Sequence, residues 1–97
     1  MPVRTTRQAD EDILGIYADG CRDFGVAQAE RYFAGLWGCF DVLAAHPLMA
    51  RERLELRPAA RLHFHKAHVI AYVVEAEGVL ILRVLSARQD WVAHFSD

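Results

Sequence analysis

The stretch RLHFHKAHVIAYVVEAEGVLILRVLSARQD, residues 61–90, decides the fold because it reads as a series of β-strands. Residues 69–74 (VIAYVV) and 79–85 (VLILRVL) are rich in β-branched and other apolar side chains, a composition that favours strands. Residues 75–78 (EAEG) between them end in glycine and are typical of a hairpin turn. Residues 62–65 alternate apolar and polar side chains, which predicts a third strand. The stretch therefore predicts an antiparallel meander.

The last of these strands has two faces of different character. Its even positions are uniformly apolar, whereas its odd face contains Arg83 among apolar residues. We therefore assign the even positions to the core and expect the face with Arg83 to be open or covered by a partner. The even positions are Leu80, Leu82 and Val84.

The residues before this stretch predict two helices. Thr6 is a suitable N-cap, and apolar residues recur at spacings of three and four over residues 13–24. Gly25 ends this helix, and a second one runs from about Val26 to His46, where a following proline disfavours helical geometry. Two amphipathic helices joined by so short a connection pack as an antiparallel hairpin.

The 97 residues accommodate one domain. We divide it into a helix hairpin at about 6–46, a sheet at about 61–86 and a C-terminal tail at 87–97, and residues 3–6 suit an additional edge strand. The predicted fold is α+β, with an N-terminal antiparallel helix hairpin packed on a three- to four-stranded antiparallel sheet.

Composition limits the possible functions. No apolar run reaches the roughly 20 residues that span a bilayer, and the N-terminus lacks a signal-peptide pattern, so a cytoplasmic location without membrane contact is expected. A net charge of −2 disfavours strong nucleic-acid binding by the whole chain, although residues 51–68 are locally basic.

Cys21 and Cys39 lie on antiparallel helices roughly 15 Å apart along the axis, so we expect no disulfide between them.

Motifs for metal binding or covalent catalysis are weak. His63, His65 and His68 lie close together in sequence, but no further ligand pattern accompanies them. We interpret them as exposed strand histidines and predict no metal site and no cofactor. Neither cysteine lies on a nucleophile turn, and no phosphate-binding glycine loop is present, so a conventional metabolic enzyme is not expected.

The end of the meander carries the more informative polar residues. Arg83 interrupts an apolar strand, and Arg88 and Asp90 follow just beyond it. Guanidinium groups in this arrangement suit a phosphate or carboxylate ligand. An Arg–Asp pair on the surface, worth about 0–1 kcal/mol, explains the same residues equally well.

Taken together, the chain resembles the RelE/ParE superfamily of bacterial toxins, and specifically its ParE branch. The resemblance extends over about residues 3–90. The matching residues, in order, are Ala9, Asp12, Ile13, Ile16, Tyr17, Phe24, Gly25, Gln28, Ala29, Glu30, Tyr32, Leu43, Ala44, His46, Pro47, Arg57, Pro58, His68, Val69, Ile70, Tyr72, Ile81, Arg83, Val84, Leu85, Arg88 and Asp90.

The resemblance implies the toxin of a type II toxin–antitoxin system. Such a toxin is neutralised by a ParD-like antitoxin, and it would contact operator DNA only indirectly, through that antitoxin. Members of the ParE branch are associated with inhibition of DNA gyrase. The residues expected to bind the target are Arg83, Arg88, Asp90 and Trp91. Those expected to bind the antitoxin are Tyr32, Trp37, Arg57 and Arg61. The wide apolar surface of the helices and an exposed strand edge suit such a partner.

Two alternatives remain open. A RelE-like, ribosome-dependent mRNA endoribonuclease would need a basic face with acid–base groups, for which the chain offers His63, His65, Lys66, Arg83 and Arg88. The chain lacks the lysine cluster of such nucleases and their C-terminal catalytic residue, unless His94 serves, so a non-enzymatic toxin is favoured. Ser86 stands where ParE toxins commonly have histidine, which leaves a non-toxic interaction module as the third possibility.

Overall fold

The computed structural model describes residues 2–95, excluding the side chain of His94. Two helices, five strands and one short 3-10 helix make up the fold. The helices are α1 (Arg7–Phe24) and α2 (Val26–Ala45), the strands are β1 (Val3–Thr5), β2 (Glu52–Arg53), β3 (Ala60–His65), β4 (His68–Glu75) and β5 (Gly78–Ser86), and the 3-10 helix η1 spans Trp91–Phe95. Among these residues, no helix combines the length and apolarity needed to cross a bilayer.

The strands form one mixed sheet in the order β1-β5-β4-β3-β2. Strands β3 to β5 are antiparallel neighbours, as predicted for the meander. β2 adds to β3 in antiparallel, whereas β1 pairs with β5 in parallel. The predicted α+β fold is confirmed, but the sheet has five strands rather than three or four. The extra strand β2 has only two residues, too few to show the alternation by which a strand is recognised in sequence.

The helix hairpin begins and turns where the sequence predicts. The hydroxyl of Thr6 accepts a hydrogen bond of 3.0 Å from the amide of Ala9 and caps α1. Gly25 alone separates the helices, with φ 88° and ψ 159°, a backbone conformation that is essentially restricted to glycine. The rings of Tyr17 and Phe33 meet edge to face at 5.8 Å, which joins the two helices along their length.

One face of the sheet packs against both helices. Tyr72 is fully buried there, and its hydroxyl donates to the carbonyl oxygen of Pro47 at 2.9 Å. Burial of this apolar surface is the main stabilising contribution on this side. The buried residues of this first core are Ala9, Ile13, Leu36, Phe40, Leu43, Ala44, Ile70, Tyr72, Val79, Ile81 and Val84.

The assignment of the even positions of β5 to the helix-packed core was wrong for most of the strand. Val79 and Ile81 belong to the first core, and only after a register shift does the even-numbered Val84 join it. Ala71 pairs with Arg83 but Tyr72 pairs with Ile81, so β5 has one extra residue at this point. A β-bulge of this kind reverses which positions face each side of the sheet.

The other face of the sheet carries a second core and is not open. Phe95 of η1 is only 3% exposed, and its carbonyl oxygen accepts a hydrogen bond of 2.8 Å from the amide of Arg57. Within the predicted tail at 87–97, Phe95 and Trp91 therefore pack in this second core, whereas Arg88 and Asp90 are exposed; residues 96–97 lie outside the described part of the chain. The buried residues of this second core are Leu56, Ala60, Leu62, Val69, Ala71, Leu85 and Phe95.

Both cysteines have free thiols.

Gly78, the first residue of β5, lies against the N-terminus of the chain. A Cβ atom at this position would overlap the carbonyl oxygen of Pro2. The amide of Val79 donates to that same carbonyl at 3.1 Å. Glycine at position 78 therefore allows the N-terminus to lie alongside β5.

Candidate functional site

A cavity of about 400 Å³ lies between the tip of the helix hairpin and the β3–β4 turn. Apolar side chains form much of its wall, with the carboxylates of Asp19 and Asp23 on the α1 side and Lys66 and His68 on the sheet side. Concave, mainly apolar sites with a few polar groups are the usual form of a binding site. We call this site the hairpin-tip cavity. It is lined by Ile16, Asp19, Gly20, Asp23, Phe24, Gln28, Ala29, Tyr32, Lys66, Ala67 and His68.

Tyr32 and His68 form a direct contact at the base of this cavity. The Tyr32 hydroxyl is 2.5 Å from Nδ1 of His68 and 3.4 Å from the carbonyl oxygen of His65. The ammonium of Lys66 lies 5.8 Å from the centre of the Tyr32 ring, a cation–π distance. Burial raises the pKa of Tyr32, and burial followed by the charge of His65 lowers the pKa of His68.

A second contact joins the same elements. Nδ1 of His65 lies 3.0 Å from Sγ of Cys39 on α2. Burial lowers the pKa of His65, and the charges of Lys66 and His63 lower it further. Burial likewise raises the pKa of the Cys39 thiol, so this thiol is less readily ionised than a free one and is not an activated nucleophile.

The prediction of exposed strand histidines was therefore wrong for His65 and His68, and His63 is also only partly exposed. β3 turns its odd positions toward α2, so His65 meets Cys39 of that helix instead of water. No group of three or more His, Cys, Asp or Glu side chains within residues 2–95 is arranged to hold a metal ion.

Arg83 is held by α1 and does not lie on an open face. Its Nε and Nη2 donate to the two carboxylate oxygens of Asp12 at 2.8 and 3.0 Å. The same carboxylate accepts a hydrogen bond of 2.9 Å from the amide of Val84. The hydrogen bonds that Arg83 donates to Asp12 raise the pKa of its guanidinium. This residue thus stabilises the junction of α1 and β5, and the expectation that it faces outward was wrong.

The other residues expected at the target site follow β5. Arg88 and Asp90 are exposed, whereas Trp91 is half-buried and packs edge to face against Phe64 with ring centres 6.0 Å apart. The structure places these three residues on one connection that leads into η1, with Arg83 apart from them at the α1 junction.

The residues expected to bind an antitoxin do not form a single patch. Tyr32 borders the hairpin-tip cavity, whereas Trp37 is half-buried and packs edge to face against Phe40 of the first core with ring centres 4.9 Å apart. Arg61 donates to the carbonyl oxygen of Ala50. Arg57 is exposed on the far side of the sheet, beside η1.

The basic face required by the endoribonuclease hypothesis is dispersed. His63 and His65 lie on the face of β3 that turns toward α2, and Arg83 is bound to Asp12. Lys66 lies over Tyr32 and Arg88 beyond the end of β5. These side chains do not converge on one site where a phosphate group would be held.

Sequence reasoning missed Asp12, Cys39 and the pair Asp19 and Asp23 as site residues. Asp12 was noted only as one of the residues that match the family, and no partner was predicted for it, because Arg83 is 71 residues away in sequence. A spacing of four between Asp19 and Asp23 indicates a shared helix face, and this was the one available signal for the acidic wall of the cavity.

Comparison with known proteins identifies the family. The family model "ParE toxin of type II toxin-antitoxin system, parDE" matches residues 3–91. Toxin ParE3 of Caulobacter vibrioides is 32% identical over 88 residues, which covers 91% of this chain and 88% of that protein. Toxin ParE of Escherichia coli is 31% identical over 93 residues, with coverage of 95% and 90%.

A solved structure titled "Chromosomal ParDE TA system from P. aeruginosa" has the same fold, with a TM-score of 0.76 and 19% sequence identity. The match covers 89% of this chain and 95% of that one. The family model spans nearly all of the described residues. This chain therefore belongs to the ParE toxin family of type II toxin–antitoxin systems.

Proposed function

We propose that this chain inhibits DNA gyrase by binding to it, forms no covalent bond of its own, and is neutralised by a ParD-like antitoxin. The family membership supports the toxin role. The observation that carries the choice of binding over catalysis is the dispersal of the basic and acid–base side chains, with His65 packed on α2 and Arg83 on Asp12. A cytoplasmic location, where gyrase acts, is part of the proposal.

In this proposal the target contacts are made by the connection after β5. Arg88 and Asp90 are exposed and free of the sheet, and Trp91 fixes the far end of the connection by packing on Phe64. Exposed charged residues next to an anchored aromatic residue are a common arrangement in protein interfaces. Arg83 supports the site indirectly by holding β5 on α1.

The antitoxin, in turn, covers the hairpin-tip cavity. Two large apolar side chains at its edge remain exposed, Phe24 by 67% and Val26 by 55%. Exposed apolar surface around a concave site is typical of a protein interface. Tyr32 contributes one wall of this cavity, whereas Trp37, Arg57 and Arg61 lie outside its lining and are not central contacts in this proposal.

A gyrase cleavage assay tests the target. The purified chain should stabilise cleaved DNA in the presence of gyrase, and Arg88→Glu should reduce this effect at least about tenfold, because a reversed charge repels the group that the arginine binds. Arg31→Glu, an equally exposed position on α2, serves as the control and should retain the effect.

The same preparation should leave ribosome-bound mRNA intact in a translation assay. Cleavage of that mRNA would move the assignment to the endoribonuclease alternative. If the chain neither traps cleaved DNA nor cleaves mRNA, and its induction leaves growth unchanged, it is a non-toxic interaction module.

Neutralisation is tested by inducing the chain with and without the small protein encoded beside it. Gln28→Trp places a large side chain at the edge of the cavity and should weaken binding of that protein by at least about tenfold. Arg31→Trp adds the same bulk to an exposed position of α2 that does not line the cavity, and it should leave binding unchanged. Equal binding by both variants would remove the cavity from the interface.

A further inference from the structure

His65 is surrounded differently on the two sides of its imidazole ring. Nδ1 lies 3.0 Å from Sγ of Cys39. Nε2 is buried and has no hydrogen-bond partner among residues 2–95. A Cβ atom added to Gly35 of α2 would lie 3.8 Å from Nε2, so this nitrogen faces the helix itself.

These surroundings fit the neutral imidazole and not the imidazolium. A neutral ring with its proton on Nδ1 donates to the Cys39 sulfur and leaves Nε2 as an acceptor without a proton. The protonated ring carries N–H groups on both nitrogens, so one charged donor of His65 would face α2 without an acceptor. Burying such a donor costs considerably more than burying an unpaired acceptor nitrogen. Protonation of His65 therefore requires the ring to move away from α2.

His68 behaves differently, although it belongs to the same hairpin. The hydroxyl of Tyr32, 2.5 Å from Nδ1 of His68, can donate to the neutral ring or accept from the protonated one. In the second case its own proton can go to the carbonyl oxygen of His65, 3.4 Å away. Protonation of His68 therefore keeps a hydrogen-bond partner for Nδ1, whereas protonation of His65 leaves Nε2 without one.

The charged groups around the hairpin end come from three elements. Lys66 in the turn and His63 in β3 oppose protonation of His65 through their positive charge. On the opposite side of the cavity, Asp19 and Asp23 of α1 would favour protonation of His68. Arg22 pairs with both carboxylates at 3.2 Å and weakens that attraction.

On α2, the titratable groups that face the two imidazoles are the hydroxyl of Tyr32 and the thiol of Cys39. Burial raises the pKa of each, so both groups are neutral at and below pH 7. α2 therefore supplies no carboxylate at these contacts to pair with an imidazolium at position 65.

We propose that His65 is a pH sensor: its neutral ring holds the end of the β3–β4 hairpin on α2, and its protonation releases that end. The sensor is a property of the isolated chain and does not depend on gyrase or on an antitoxin. Because the hairpin end is also a wall of the hairpin-tip cavity, acidification should weaken the antitoxin complex; only this consequence rests on the proposed function.

The direction of the pH dependence follows from the pKa of His65, which burial lowers below its ordinary value of about 6.5. Above that value the ring is neutral in both the packed and the released states, and the contact has its full strength. As the pH falls below about 6.5, the released state takes up a proton before the packed one does. Release should therefore increase from about pH 6.5 downward until the packed ring is itself protonated.

Amide hydrogen exchange at pH 7 and pH 5, corrected for the intrinsic rate, tests the sensor. We expect protection of residues 63–69 in the wild-type chain to fall by about tenfold or more at pH 5, since each pH unit below the pKa of the released ring can contribute up to a factor of ten. His65→Asn keeps an amide near the position of Nδ1 but does not titrate, so its protection should fall much less than that of the wild type, the remaining fall being due to His68, whose pKa burial also lowers. His46→Asn, at an exposed histidine beyond α2, should behave like the wild type.

Nuclear magnetic resonance titration of the wild-type His65 ring keeps the test decisive if the asparagine variant does not fold. The ring should titrate at lower pH in the folded chain than in the urea-unfolded chain. The proposal is overturned if the two titrations coincide, if wild-type protection is the same at both pH values, or if His65→Asn loses protection to the same degree.

Discussion

Asp12 shows how a single side chain can complete the edge of a sheet. β1 pairs with β5 only as far as Ile81, so the backbone of β5 beyond that residue needs other partners. The hydroxyl of Thr6 donates to the carbonyl oxygen of Leu82 at 2.7 Å, and Asp12 accepts from the amide of Val84 and from Arg83. Side chains of α1 and its cap thus replace the missing strand.

Replacing Asp12 by alanine should lower the free energy of unfolding by about 3 kcal/mol, the lower part of the range for breaking a buried ion pair. The side chains of Arg83 and Asp12 are only 20% and 14% exposed, so water would compensate the remaining guanidinium poorly. Urea unfolding measures the change. Glu11→Ala removes an exposed pair with Arg7 at 3.6 Å and a weaker charge interaction with Arg83, and it should cost less than about 0.5 kcal/mol. An equal effect of the two variants would contradict this account.

Part of this site could be predicted from the sequence. Arg83 was recognised as unusual because it interrupts an apolar strand, and the resemblance placed Asp12 among the family residues. Their contact could not be predicted, because nothing local in either segment indicates which of seven acidic residues in the first half of the chain meets a side chain 71 positions away.

At the scale of elements, the helix hairpin depends on one glycine. Gly25→Ala should destabilise the chain by about 1–3 kcal/mol, because φ 88° with ψ 159° is strained for any residue with a Cβ atom. Gly15→Ala lies mid-helix with nothing within 4 Å of the added methyl group, and it should stabilise α1 by about 1 kcal/mol. Thermal unfolding of both variants measures the changes, and destabilisation by both would show that the turn geometry is not the cause.

The helices were easier to predict than the sheet. Capping, apolar spacing and proline are local signals, and they predicted the ends of α1 and α2 within a residue or two. The bulge in β5 has no such signal, because the strand is apolar at nearly every position and both registers bury apolar side chains. The parallel pairing of β1 depends on Gly78, which accommodates the carbonyl of Pro2, and this close approach exists only in the folded chain.

At the scale of the whole molecule, the sheet lies between two cores. The helices cover one face, and η1 with the loop around Leu56 covers the other. A sheet covered on both sides explains why β4 and β5 read as nearly continuous apolar runs. In the proposed function the same arrangement positions the target contacts, because the exposed Arg88 and Asp90 are carried on the connection that leads into η1.

Phe95→Ala should therefore affect stability and target binding together. The side chain is 3% exposed in the second core, and its loss should cost about 3–5 kcal/mol, measured by urea unfolding. Because η1 holds the Arg88–Trp91 connection, the variant should also lose its effect on gyrase under conditions where circular dichroism shows it folded. Leu54→Ala, at a position 76% exposed, is the control for both measurements. A folded Phe95→Ala variant with undiminished trapping of cleaved DNA would show that the connection acts without support from η1.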